Sequence, residues 1–296
     1  MDNKNLKWTG KSAGGRFGNA CFAMLLRIGV FPAYVLLIFV AAFFMVFRQR
    51  QCAESSSYLS RIFKRKINGI SWNVYKHLFS FGMSILDRYA YFSGANIECV
   101  DECKNKILSA RNRGKGVVLV VSHIGGWSIS GGKLAEYECP TGVIGVSQEH
   151  EYIENMAEAR RTRKLPNMIA TSDDSMAMIA AASMLRRNGI VAIHGDRYVA
   201  GKFVKTHLLG SEVRIPISAY ALAAKTGASI VNVFCVREKI GKYKMFCSDI
   251  RVLENLRGTE MLQQYQTCAD LYMQDIENLL TNYPYQWYNF YPFWMQ

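Results

Sequence analysis

Residues 114–132 read GKGVVLVVSHIGGWSISGG, and the fold is decided by how that stretch divides. The run 117–121 is short, β-branched and bounded by glycine, too brief for a helix and apolar at every position. Such a run predicts a strand buried on both faces, as in a parallel sheet covered by helices. His123 falls just past its carboxyl end, and Gly125 and Gly126 follow, where a missing side chain lets a substrate approach. In α/β folds that end of a strand is where functional groups gather. A lone histidine is more often structural; the glycine-rich surroundings make His123 a candidate.

Outward from this strand the chain alternates. A second strand is predicted at 143–146 (VIGV), and an alanine- and methionine-rich helix at 175–187, with Ser172 or Asp173 as N-cap and Asn188-Gly189 as the stop. Then come a strand at 190–194 (IVAIH), a helix opened by Pro216 and ended by Gly227, strands at 229–236 and 243–250, and a last helix at 258–281. Residues 67–93 carry aromatics at helical rather than alternating spacing. The pattern predicts an α/β fold, a central mixed sheet flanked by helices. It shows no internal repeat.

Residues 28–47 are apolar and uncharged over twenty positions, and about 20 such residues cross a bilayer core. The stretch is too long for a signal peptide and no small-residue cleavage site follows. It predicts a transmembrane or interfacial helix, so that 1–50 form an N-terminal membrane anchor and 51–296 one catalytic domain. The net charge is +13, and residues 1–66 hold eleven Lys/Arg against Asp2 and Glu54. Charge placed around an apolar span points to anionic lipid rather than nucleic acid, for which no recognition motif is present. Arg61, Lys64, Arg65 and Lys66 follow the span closely and put the catalytic part on the cytosolic side. The eight cysteines, Cys99 and Cys103 included, lack the paired spacing of a zinc site and read as reduced thiols. Neither a G-x-S-x-G elbow nor a dinucleotide or P-loop fingerprint occurs.

The sequence S-H-x-G-x-W at 122–127 resembles a signature of the late lipid A acyltransferases, the lauroyl/myristoyl branch of the lysophospholipid acyltransferase superfamily. The apolar anchor, H-G-D-R at 194–197, T-G-A-S-I-V-N-V-F at 226–234 and the ending Y-P-Y-Q-W at 283–287 follow in that family's order. The resemblance covers nearly the whole chain. It implies a glycerolipid acyltransferase-like sheet and a thioester donor, acyl carrier protein (ACP) ahead of CoA. The acceptor would be a lipid or glycolipid hydroxyl or amine at a bacterial inner membrane. No metal or dissociable cofactor is implied.

It further implies His123 as general base, with a carboxylate five positions on to fix its tautomer and stabilise the imidazolium. Here that position holds Ser128, and Gly126 stands where an asparagine is common. A hydroxyl accepts a hydrogen bond but does not offset a full charge. Three readings stay open: another carboxylate substitutes, with Asp196 ahead of Asp173 and Asp174; a base works alone; or the chain binds lipid or acyl carrier without turnover.

The resemblance also implies a functional arginine near A-R-R-T-R-K, so Arg160 or Arg163 is a candidate phosphate ligand, as is Arg197, whose bland alternative is an ion pair with Asp196. Gly125, Gly126, Trp127 and Ser128 are candidate substrate contacts, with core packing the alternative for Trp127. His194 reads as a buried, satisfied residue; His77, His150 and His207 have no persuasive setting. The ending YPYQWYNFYPFW (283–294) packs eight aromatics into twelve residues, either at the membrane boundary or as a cap on the core.

Overall fold

The computed structural model describes residues 29–145, 167–169, 174–198 and 200–294. Its strands are β1 (Glu98–Asp101), β2 (Val117–Gly125), β3 (Thr141–Ile144), β4 (Met168–Ile169), β5 (Ile190–His194), β6 (Phe203–Leu208), β7 (Ser211–Pro216), β8 (Ser229–Lys239), β9 (Lys242–Cys247) and β10 (Arg251–Val252). Its helices are α1 (Val30–Phe47), α2 (Gln49–Ile62), α3 (Trp72–Phe92), α4 (Lys104–Arg111), α5 (Trp127–Leu134), α6 (Asp174–Arg186), α7 (Ser218–Thr226) and α8 (Gly258–Asn282).

The main sheet runs β1-β9-β8-β2-β5-β3-β4, with β10 on β8. It is mixed: β2 pairs parallel with both β5 and β8, whereas β8 and β9 run antiparallel. The β-branched run lies at the centre, as its unbroken apolarity requires. Val118 and Val120 join Val191 and Ile193 in the core on one side; Val117, Leu119 and Val121 join Ile190 and Ala192 on the other. Period-two alternation thus feeds two separate cores, which is why every position is apolar.

Several boundaries differ from the sequence expectation. Pro216 closes β7 instead of opening a helix, and α7 starts at Ser218. The hairpin β6–β7, unpredicted, forms a small sheet of its own against α8. The strand expected over 243–250 ends at Cys247. Helix α6 stops where Asn188 turns to a φ of 58° and its N–H reaches the Leu185 carbonyl. Its expected N-caps, Ser172 and Asp173, lie outside the described residues.

Helix α1 is uncharged and apolar on all sides, long enough by length and composition to cross a membrane. One stripe, Ala33, Tyr34, Leu37 and Ala41, is buried. It packs on α3, where Gly82 leaves room for Leu37: a Cβ there would meet Leu37 Cδ1 at 2.3 Å. The Tyr34 hydroxyl donates to the Asp87 carboxylate of α3, which also accepts from Tyr243 of β9.

Candidate active site

The ladder between β2 and β8 loses register between Val121 and Gly125, and His123 sits inside that break. Its backbone N–H donates to Asp196 Oδ2 at 2.9 Å, and its ring Nδ1 lies 2.8 Å from Asp196 Oδ1. Asp196 stands two residues past β5, the parallel neighbour of β2, and the Gly195 N–H donates to the Val121 carbonyl at 2.9 Å. Adjacent parallel strands therefore deliver the two side chains to the same carboxyl edge of the sheet.

Asp196 is fully buried. Burial would raise its pKa, but the adjacent His123, through charge and hydrogen bond, and then Arg197 outweigh it and hold the carboxyl below its ordinary range. An ionised carboxylate only accepts, so the ring donates from Nδ1–H. In the neutral imidazole that choice leaves the lone pair on Nε2. The His123 side chain keeps 16% exposure.

The other carboxylate oxygen is held by the end of the chain. The Trp287 indole N–H donates to Asp196 Oδ2 at 3.0 Å, from a fully buried position. Trp287 bridges antiparallel to Ile124, while the Gln286 carbonyl accepts from the Gly125 N–H at 2.8 Å and the Tyr288 N–H donates to the His123 carbonyl at 3.0 Å. Gln286 also clasps β8, its side-chain oxygen accepting from the Arg237 N–H at 2.8 Å and its amide donating to the Arg237 carbonyl at 2.7 Å. The aromatic ending is thus the back wall of the histidine loop. His77 of α3 braces it: its Nε2–H donates to the Trp287 carbonyl at 2.8 Å and its Nδ1 accepts from the Ser55 hydroxyl at 2.8 Å. Burial brings the His77 pKa down to about 4, with the Trp287 contact opposing, so that ring is neutral.

The remaining candidates fall around this pair. Trp127 opens α5 half-buried, its ring 5.7 Å from that of His123. Ser128, the next residue, lines a narrow crevice with Ser84, Arg88 and Ile129. Gly125 and Gly126 are buried, and protein occupies the space their side chains would fill. A Cβ on Gly125, at φ 53°, would stand 2.2 Å from the Cys235 carbonyl oxygen, and one on Gly126 would meet the Tyr243 ring at 2.5 Å.

Arg197 lies beside the pair; its Nη2 donates to the Tyr288 carbonyl at 2.9 Å rather than pairing with Asp196, and its guanidinium stands over the Tyr291 ring. His194 is not satisfied as expected: its ring packs against His123, centroids 4.3 Å apart and planes tilted by 31°, and its buried Nε2 finds no hydrogen-bond partner. Burial, then the charge of His123, brings its pKa down to about 3. Arg160, Arg163 and Asp173 lie outside the described residues. Among those described, no group of His, Cys, Asp and Glu is arranged to hold a metal ion.

Sequence reasoning missed the roles of Trp287, Gln286 and His77 as braces. The one available signal was the Q-W pair at 286–287, which the resemblance had singled out without assigning it a partner. The pair His123–Asp196 can take up a proton on one imidazole face while the carboxylate offsets the charge on the other. That is the requirement for general-base attack by a hydroxyl or amine.

Compared with known proteins, residues 96–296 match the family model described as bacterial lipid A biosynthesis acyltransferase. No curated protein matches the chain. Among solved structures it is similar to the 1-acyl-sn-glycerophosphate (LPA) acyltransferase PlsC from Thermotoga maritima, at 10% identity and a TM-score of 0.37, covering 85% of this chain and 97% of that one.

Proposed function

The chain belongs to the bacterial lipid A biosynthesis acyltransferase family, and from that premise we propose that His123, paired with Asp196, is its general base. Family membership makes it an acyltransferase acting on lipid substrates. In our reading the donor is an acyl-ACP thioester, with acyl-CoA the alternative, and the acceptor a hydroxyl or amine of a lipid or glycolipid. His123 Nε2 takes the acceptor's proton as its oxygen or nitrogen attacks the thioester carbonyl. The C–S bond then breaks and the proton passes to the departing thiolate. Asp196 stabilises the transient imidazolium, the work for which Ser128 lacks a charge.

The observation that supports this most is the 2.8 Å contact between His123 Nδ1 and Asp196 Oδ1, with Asp196 otherwise fully enclosed. It favours a substitute carboxylate over a base acting alone, and turnover over mere binding. Arg197, beside the pair, is our candidate for a phosphate of donor or acceptor, and Arg160 and Arg163 remain candidates from sequence. The apolar N-terminal segment supports attachment of a catalytic domain beginning near residue 51 to the cytosolic face of a bacterial inner membrane.

The test is acyl transfer by the detergent-solubilised chain from radiolabelled acyl-ACP, and in parallel acyl-CoA, into a bacterial lipid extract. The parent should form a labelled lipid that His123→Ala abolishes. Undiminished transfer by His123→Ala would sink the assignment.

A further inference from the structure

We infer that α1 lies in one leaflet, along the membrane surface, with both of its ends on the same face of the bilayer. This deepens the membrane attachment proposed above and rests on it.

The argument is one of depth. Eighteen residues at 1.5 Å rise make α1 about 27 Å long, enough to cross a core of about 30 Å only if it stands nearly upright. Yet the buried stripe of α1 is pressed on α3 from Ala33 to Ala41, antiparallel, with Leu37 seated at Gly82 and Tyr34 on Asp87. The opposite face of the same stretch of α3 holds the catalytic layer: the Ser84 hydroxyl donates to the Gly125 carbonyl, the Ser80 hydroxyl accepts from Arg237 at 2.7 Å, and His77 braces Trp287. The middle of α1 and the His123 loop are therefore at one level, separated by a single helix, and packed helices lie about 8–10 Å apart. An upright α1 would carry Asp87, Arg237 and the His123–Asp196 pair to the bilayer midplane. Charged groups at that depth are strongly disfavoured. A recumbent α1 leaves the whole α/β layer in water.

The composition of α1 fits the same picture. A helix lying between lipid and water needs a polar face, and α1 has none. Its inner face meets protein instead: Ala33, Tyr34, Leu37 and Ala41 rest on α3, while Phe31, Val35, Phe39, Phe43 and Phe47 form an exposed ridge along its full length. Ile70 and Trp72, 68% and 65% exposed, carry the apolar surface onward beside the Phe47 end, and exposed Lys64, Arg65 and Lys66 stand next to them. An apolar ridge edged by lysine and arginine is complementary to the acyl chains and anionic head groups of a single leaflet.

The measurement is sidedness. Epitopes are fused ahead of Met1 and after Gln296, and the full-length chain is expressed in a Gram-negative host. Inverted inner-membrane vesicles and intact spheroplasts are then treated with protease. Both epitopes should be lost together in one preparation and survive together in the other. Loss of the two epitopes in opposite preparations overturns the inference and leaves membrane attachment standing. Recovery of the chain in the soluble fraction after lysis without detergent refutes the attachment itself, and the inference with it.

Discussion

The indole N–H of Trp287 lies 3.0 Å from Oδ2 of Asp196, on the carboxylate whose other oxygen faces the His123 ring. The carboxylate is thus pinned at one oxygen by Trp287 and the His123 backbone N–H, which sets the direction in which Oδ1 points. Trp287→Phe keeps an aromatic ring and removes the donor. A hydrogen bond to a charged group contributes about 1.5–3 kcal/mol, so kcat should fall roughly tenfold to a hundredfold with KM nearly unchanged. Acyl-transfer kinetics on the folded variant decide it; an unaltered kcat would show that Asp196 keeps its aim without the indole.

Asp196 and Ser128 should respond in opposite ways. Asp196→Asn removes the charge that stabilises the imidazolium and leaves the tautomer unspecified, and triads losing a carboxylate this way drop on the order of 10⁴-fold. Ser128→Ala removes an uncharged hydroxyl, whereas the ring's Nδ1 faces Asp196, so its loss of rate should be far smaller than that of Asp196→Asn. Measured side by side, comparable losses in the two variants would contradict the assignment of the carboxylate.

Gly125→Ala should be poorly tolerated although the side chain is small. The position combines a φ of 53° with a Cys235 carbonyl oxygen 2.2 Å from where Cβ would sit. Left-handed strain alone costs about 1 kcal/mol or more and overpacking typically about 1–3 kcal/mol further. A thermal melt in detergent is expected to drop by several degrees or more. An unchanged melt would mean that β8 gives way at Cys235.

The central sheet was legible in the sequence because its strands are buried on both faces: 117–121 and 190–193 are unbroken apolar runs, as strands covered on both sides require. The hairpin β6–β7 was not. Its residues alternate, as in VKTHL, but Pro216 resembles a helix opener, and only tertiary packing against α8 makes it the end of a strand. His123 was legible from its place after the apolar run 117–121 and before two glycines, although the structure carries β2 on to Gly125. Asp196 was preferred over Asp173 and Asp174 through the H-G-D-R match of the resemblance, and its contact depends on strand adjacency 73 residues apart, which no local pattern encodes. For Trp287 the sequence left membrane boundary and core cap both open, because burial and interface select the same residue types. The indole's partner became apparent only once the terminal segment was seen lying against Ile124.

His77 makes stability depend on pH in a calculable direction. The ring is fully buried between Ser55 and the Trp287 carbonyl, and its pKa is down at about 4, against about 6.5 in an unfolded chain. Between those values the unfolded state takes up a proton that the native state refuses, so stability rises with pH there. The contribution is complete above about pH 6.5, is lost as pH falls toward 4, and levels off below. Its size is on the order of 3 kcal/mol. His194, at about 3, adds to the same trend. His77→Gln can still donate to the Trp287 carbonyl and accept from Ser55, yet does not titrate. The melting temperature in detergent should therefore decline less steeply from pH 7 to pH 4.5 in the variant than in the parent. Identical slopes would mean that His77 is charged in the folded state, and the brace behind Trp287 would then have to be an imidazolium.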